Sequence, residues 1–327
     1  MNIICDKSKL LEGINISLKA IPGKSTMAIL ECMVIEAKDG IIKLISNDLE
    51  IGIETIIEGE IKEPGSVAVN AKVFFEIIRK LPYNEVTISV NENLTMNITC
   101  GKAKFNIPVK DTEEFPYLPK IVKDKSVLIS QFTLKEVIHQ TVFSISDNEN
   151  TKVMTGELFE IKGSQLKVVS LDGHRISIRK VDLKEQYDDV SVIIPGKTLI
   201  EISKILNGGL DDEICMYFTD KHVLFEFDNT IVLSRLIEGE YYKIDKMLSS
   251  DYETKITVNK KDLFDCIDRT TLMIRESEKK PVIIDIKDTS MSLAINSGIG
   301  SMSEDIDISK EGKDILIGFN PKFLMDA

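Results

Sequence analysis

Gly65-Ser66-Val67-Ala68-Val69-Asn70-Ala71-Lys72-Val73-Phe74-Phe75-Glu76-Ile77-Ile78 runs from an apolar strand straight into an apolar helix. The same pattern recurs in Asp189-Val190-Ser191-Val192-Ile193-Ile194-Pro195-Gly196-Lys197-Thr198-Leu199-Ile200-Glu201-Ile202. It occurs a third time in Asp314-Ile315-Leu316-Ile317-Gly318-Phe319-Asn320-Pro321-Lys322-Phe323-Leu324-Met325-Asp326. Lys72, Lys197 and Lys322 stand 125 residues apart at each step. Upstream, amphipathic helical segments around Leu10, Leu134 and Leu263 repeat with nearly the same spacing. Between the two features lies a strand ending in a polar turn, at Ser46-Asn47-Asp48, Ser170-Leu171-Asp172 and Ile295-Asn296-Ser297.

Three features on one period imply three tandem copies of a unit of about 125 residues. Between helices the chain alternates apolar with polar residues, as in Val86-Thr87-Ile88-Ser89-Val90 and Val223-Leu224-Phe225-Glu226-Phe227. These read as antiparallel strands with one solvated face. The expected fold class is α+β, mostly antiparallel sheet with two helices per copy. The expected domains are 1–124, 125–250 and 251–327, joined at the polar stretches Val122-Lys123-Asp124-Lys125 and Leu248-Ser249-Ser250-Asp251. The third copy stops just past its lysine, so it is expected to be incomplete, lacking about 47 residues of the repeat.

Length and composition agree with a soluble globular protein. The 327 residues are 43% hydrophobic and 29% charged, too apolar for a disordered chain. No apolar run reaches the ~18 residues of a membrane span, and the N-terminus has no signal-peptide pattern. Cys5, Cys32, Cys100, Cys215 and Cys266 are odd in number and form no C-x-x-C pair. A reducing, cytoplasmic location is expected. The net charge of −12 argues against a wholly basic nucleic-acid-binding surface and leaves room for a local basic face.

Catalytic machinery is hard to find. His139, His174 and His222 lack metal-ligand spacing, and a single packed or solvated histidine is the ordinary reading. Gly23-Lys24-Ser25 and Gly196-Lys197-Thr198 imitate phosphate loops, but Leu18 and Ser191 stand where the first glycine belongs. Asp188-Asp189 and Asp211-Asp212-Glu213 are expected in loops, where solvated carboxylates are common. A metal-dependent nuclease using Asp211 or Asp212 is the rival from another class, and an inert structural repeat is a third. No cofactor and no metal are expected.

The basic residues point elsewhere. Lys72, Lys197 and Lys322 each start a second helix; Arg79 and Lys80 extend the first of these and Lys204 the next. Lys24 follows the first helix of copy one. Arg269, Arg275, Lys279 and Lys280 occupy the corresponding region of copy three. Copies arranged about an axis would turn these helices the same way, making one positive face able to follow a phosphate backbone without reading sequence.

The ordered motifs Ser46–Glu54, Glu63-Pro64-Gly65-Ser66, Glu113-Glu114-Phe115-Pro116, Thr155–Glu160, Asp172-Gly173-His174-Arg175, Phe218-Thr219-Asp220, Ser234–Glu240 and Phe319-Asn320-Pro321-Lys322 resemble the bacterial sliding clamps, the β subunits of DNA polymerase III. The resemblance covers the whole chain, cut short at the C-terminus. It implies a head-to-tail homodimer closing a six-domain ring around duplex DNA, helices inside and sheets outside, that tethers the polymerase and other DNA-processing proteins. The clamp loader would also be a partner. It implies processivity without catalysis and no membrane partner.

By position, the resemblance assigns Lys24, Lys72, Lys197 and Arg275 to DNA; Arg79, Lys80 and Lys204 follow from the helix reading alone. It implies a partner-peptide pocket built from Met154, Leu171, Gly173, His174, Arg175, Ile176, Tyr242, Lys246 and Met247. Tyr241-Tyr242 stands where the family commonly has Phe-Pro. For the ring interface it implies Phe105 and Ile107 against Leu272 and Met273, with Lys102 and Lys104 facing Glu304 and Asp305.

Overall fold

The computed structural model describes residues 1–82, 84–124, 126–248, 251–275 and 280–327. Two compact units emerge, Met1–Tyr241 and Tyr242–Ala327. The first holds two copies of the repeat and the second holds the third.

Copy one runs β1 (Asn2–Asp6), α1 (Lys7–Ser17), β2 (Cys32–Lys38), β3 (Ile41–Asn47), β4 (Ile51–Ile57), β5 (Glu60–Glu63), β6 (Gly65–Asn70), α2 (Ala71–Lys80), β7 (Glu85–Val90), β8 (Thr95–Cys100) and β9 (Ala103–Pro108). Copy two runs β10 (Ser126–Ser130), α3 (Gln131–His139), β11 (Gly156–Leu171), β12 (Ile176–Pro195), α4 (Gly196–Ile205), β13 (Glu213–Phe218), β14 (His222–Phe227) and β15 (Thr230–Arg235). Copy three supplies β16 (Thr254–Val258), α5 (Lys260–Thr271), β17 (Val282–Lys287), β18 (Ser290–Asn296), β19 (Ser301–Gly312), β20 (Ile315–Phe319) and α6 (Pro321–Asp326).

The repeat reaches down to the helix caps. Asp6, Ser130 and Asn259 each accept backbone N–H bonds at the start of α1, α3 and α5, closing amides that a helix start leaves free. Within each copy the first helix packs on the second: α1 on α2, α3 on α4 and α5 on α6. Their apolar stripes, Leu10 and Ile14 with Phe74 and Ile78 in copy one, are fully buried. In copy two β11 and β12 fuse what copy one keeps as separate strands. Lys167 Nζ lies 3.5 Å from Glu160 Oε2, though seven residues of extended strand span about 23 Å. The strand therefore folds back near Gly163, whose φ of +58° suits glycine.

The two copies of the first unit share one sheet. β15 pairs antiparallel with β4, Thr230 opposite Thr55, Val232 opposite Ile53 and Ser234 opposite Ile51. The result is an eight-stranded sheet, β10-β13-β14-β15-β4-β3-β2-β6. Ala20, Ile51 and Ile53 of copy one lie in the hydrophobic core of copy two, each isoleucine contributing about 1.5–3 kcal/mol by burial. The Thr55 and Thr230 hydroxyls, both buried, bond to each other at 2.9 Å.

The connection between copies is a strap across the outer face of that sheet. Phe115 packs with Ile29, Leu30 and Ala68, Asn47 Nδ2 donates to Pro116 O at 2.7 Å, and Lys123 pairs with Glu226 at 2.7 Å while lying over the Tyr217 ring. A Cβ on Gly52 would come within 1.9 Å of Leu118 Cδ2; the strap sits that close because position 52 is glycine. This corrects the expectation of a solvated face on β14: its outward Leu224 and the facing Leu233 are buried, on the side the strap covers.

The remaining strands of copy one form β5-β1-β7-β8-β9, with β9 an open edge. The second unit is a five-stranded sheet, β16-β19-β18-β17-β20. In it β19 pairs with β18 through residues 301–307 and with β16 only from Ile308 onward. No helix among the described residues is long and apolar enough to cross a membrane. Lys125, Ser249, Ser250 and Lys279, named above, lie outside the described residues.

Candidate functional site

The basic residues expected on DNA fall into two groups. Lys24 and Lys72 are brought together: Lys72 Nζ donates to Gly23 O at 3.1 Å, holding the exposed loop that carries Lys24 against the N-terminal turn of α2. A carbonyl partner leaves both positive charges uncompensated. Lys80 and Arg275 are exposed as well. The others carry a carboxylate of their own. Arg79 pairs with Glu76 at 2.6 Å, Lys204 with Glu201 at 2.7 Å, and Lys197 with Asp48 at 2.5 Å. Sequence spacing placed these cations on the helices but not their neutralising partners. Arg269, too, is spent locally, forking onto Glu304 through Nε at 2.8 Å and Nη2 at 2.5 Å. That bond holds the Glu304 carboxyl below its usual range.

Of the residues expected in the pocket, Leu171, Gly173, His174, Arg175 and Ile176 lie on or beside the turn between β11 and β12, and Met154 lies in the short helical segment before β11. Asp172 closes the turn, accepting from the His174 and Arg175 amides and from Arg175 Nε at 2.9 Å. Gly173 takes a φ of +89° there. Arg175 also donates to Phe143 O at 2.5 Å and stacks over the Phe143 ring. The guanidinium therefore builds the turn, and His174 is its exposed tip. Leu171 is buried beneath, while Met154 and Ile176 are half-buried. Tyr242 and Met247 belong to the second unit and are 39% and 53% exposed. The Lys246 side chain lies outside the description.

Under that turn lies a residue sequence reasoning missed. Glu157 on β11 is fully buried; its Oε2 lies 3.1 Å from the Thr141 hydroxyl, and its Oε1 has no hydrogen-bond partner. Burial pushes its carboxyl up to about 8. The signal was available in strand parity: Phe159 and Ile161 point inward, so residue 157 must as well. Tyr241 donates to Val169 O at 3.3 Å from beside it, and its phenol is pushed up by burial and by Glu157.

The residues expected at a ring interface lie on strands β9 and β19 and in the turn after α5. Phe105 and Ile107 lie on β9, with Lys104 just before them and Lys102 in the preceding turn, both lysines exposed. In the second unit Leu272 is 70% exposed just past α5. Met273 packs beside Gly300, and Glu304 and Asp305 lie on β19. Among the described residues no group of three His, Cys, Asp or Glu could hold a metal ion. Asp211 and Asp212 lie in the connection leading to β13, and the Asp212 carbonyl accepts from the Gln131 amide at 2.7 Å; Asp188 and Asp189, expected in a loop, lie instead within β12.

Comparison with known proteins gives this arrangement its frame. Three family profiles match in order: the DNA polymerase III beta subunit N-terminal domain over residues 1–119, the central domain over 128–243 and the C-terminal domain over 245–327. The beta sliding clamp of Staphylococcus epidermidis is 34% identical over 337 residues, covering 100% of this chain and 89% of the relative. A solved structure from Eubacterium rectale, described as a putative DNA polymerase III beta subunit, superposes with a TM-score of 0.96 at 58% identity. The Bacillus subtilis sliding clamp does so at 0.95 and 33%. Each covers 100% of this chain and 89% of its own. The chain belongs to the DNA polymerase III β-subunit family, the sliding clamps.

Proposed function

We propose that two copies of this clamp close head to tail into a ring around duplex DNA, through a seam that repeats the one inside the chain. As a sliding clamp it confers processivity on the replicative polymerase and catalyses nothing itself. The observation that carries the ring is the β4–β15 pairing together with two edges that occupy matching positions, β9 of copy one and the outer side of β19 in copy three. Unlike halves of this kind make a heterologous contact, which gives a closed ring when the rotation fits.

The internal seam supplies the register. The turn before β9 matches the turn before β15, so Phe105 takes the place of Val232 and Ala103 that of Thr230. Likewise Asn47 opposite Gly52 matches Asn296 opposite Ser301, so Met302 takes the place of Ile53 and Glu304 that of Thr55. Counted from the caps Asp6 and Asn259, Met273 takes the place of the buried Ala20. Phe105 then meets the partner's Met302, Ile107 reaches the partner's Gly300 beside Met273, and Lys104 faces the partner's Ser303. The lysines of β9 and its turn approach the acidic stretch Glu304-Asp305, a charge pairing that sets orientation. Cysteines at Lys104 and Ser303 test this: mild oxidation is expected to give a covalent dimer, and a pair moved along to Lys104 and Asp307 is not. Cross-linking of the second pair alone would overturn the register.

Inside the ring, Lys24 and Lys72 are the cations best placed to track phosphate, with Lys80 and Arg275 beyond them; Arg79, Lys197 and Lys204 contribute less because each is paired. The partner-peptide pocket is assigned to Met154, Leu171, Gly173, His174, Arg175 and Ile176 with Tyr242, Lys246 and Met247. Exposed Met247 and half-buried Met154 suit a surface that re-packs around short apolar peptides. The polymerase catalytic subunit and the clamp loader are the expected users. Domain limits of 1–124, 125–250 and 251–327 are proposed for the three copies, although the C-terminal family match begins at residue 245 and the second compact unit at Tyr242, a few residues before 251; a cytoplasmic setting accords with a replication role.

A further inference from the structure

We propose that Glu157, in its uncharged acid form, is the positioning residue for the pocket turn Asp172–Arg175, acting through the segment Thr141–Ser144. That segment brackets the turn with three hydrogen bonds. Thr141 O accepts from Ser170 Oγ at 2.5 Å, on the strand entering the turn. Phe143 O accepts from Arg175 Nη2 at 2.5 Å within it. Ser144 Oγ and Ser177 Oγ share a bond of 2.7 Å on the strand leaving it. Among the described residues, Glu157 is the strand partner that reaches the Thr141 hydroxyl.

Burial with one oxygen unpartnered favours the uncharged form of Glu157. Thr141 Oγ1 has one proton, and Val137 O, an acceptor only, lies 2.8 Å away. At 3.1 Å the same hydroxyl can instead donate that proton to Glu157 Oε2, which leaves the other carboxyl oxygen, Oε1, with no hydrogen-bond partner. An ionised Glu157, fully buried with Oε1 unpartnered, would be a bare charge in the core. Burial pushes the carboxyl up to about 8, with no charged side chain offsetting it. The titratable group facing it is the Tyr241 phenol, itself raised by burial and by Glu157. On α3, Glu136 and His139 are on the exposed face; on β11, Glu160 is engaged by Lys162 and Lys167. The segment 141–144 carries no ionisable side chain. An opening that lets water reach the carboxyl also lets it ionise, so raising the pH towards about 8 favours parting Thr141–Ser144 from β11 and frees the turn.

The functional meaning rests on the pocket reading above; the test does not. Amide hydrogen exchange of the full chain, with rates divided by those of the unfolded chain at each pH, reads the turn itself. Protection of residues 170–177 is expected to fall about tenfold between pH 6 and pH 7 in the wild type and to level off above pH 8, while β7 and β8 hold theirs. Glu157→Gln is expected to abolish that fall. A flat wild-type profile overturns the proposal without need of a variant, and so does an unchanged fall in Glu157→Gln. If Met247→Asp leaves capture of the polymerase catalytic subunit intact while the pH response persists, the pocket reading fails and the support of the turn by Glu157 stands.

Discussion

Lys197 Nζ on α4 and Asp48 Oδ2 in the turn before β4 lie 2.5 Å apart, tying the second copy to the first. Asp48 is only 6% exposed and its other oxygen accepts the Glu50 and Ile51 amides. A phosphate approaching Lys197 must compete with a carboxylate already fixed in place. Lys24 and Lys72 face no such competitor. Each released phosphate contact lowers the salt slope of DNA binding by about 0.9. Lys24→Ala and Lys72→Ala are each expected to lower it by about that much, and Lys197→Ala by less than half as much. A salt titration of duplex binding measures all three, and equal losses would contradict the ranking.

The strap depends on Gly52. A valine there drives its side chain into Leu118, whose Cδ2 would lie 1.9 Å from the new Cβ and whose Cγ would lie 3.1 Å away. Overpacking of this kind costs about 1–3 kcal/mol. Gly52→Val should lower the thermal midpoint of the first unit and speed tryptic cleavage at Lys120 and Lys123. Adding Leu118→Ala should restore most of the loss, because the clash lies with that one side chain. A double variant no better than the single would place the strain elsewhere.

Glu157 also makes global stability depend on pH. Its folded value of about 8 lies above the ordinary 4.5, so the folded state holds a proton that the unfolded chain has given up. The contribution is complete below 4.5 and is lost as the pH rises to about 8. The slope in that window is about 1.4 kcal/mol per pH unit. Denaturant unfolding of wild type and Glu157→Gln at pH 5, 6.5 and 8 should give curves that converge at low pH and separate in favour of the glutamine at high pH. Parallel curves would mean that Glu157 is ionised in the fold.

Much of this architecture is legible in the linear chain, because a repeat announces itself. The 125-residue spacing of Lys72, Lys197 and Lys322 follows from three second helices that start at the same place after the same strand. The apolar stripes of α1 and α2 are equally readable, since 3.6-residue periodicity needs only neighbours in sequence. What stays hidden is what depends on partners far along the chain. Asp48 and Lys197 are 149 positions apart, and nothing in either segment names the other. Leu118 looks like any linker residue until Gly52 lies beneath it. Glu157 reads as a surface charge unless strand parity is trusted over chemistry. The pocket turn was found by its motif, yet Arg175 proves to be a brace for the turn rather than a free cation.

The most direct test of the ring is the mass of the chain in solution. Light scattering at micromolar concentration should return twice the 36.7 kDa of one chain, and Phe105→Asp, which puts a carboxylate opposite the partner's Met302, should return a single chain with its fold intact. A wild-type mass of 36.7 kDa throughout the concentration range would contradict the account, because open β9 and β19 edges would then have no second copy to close them.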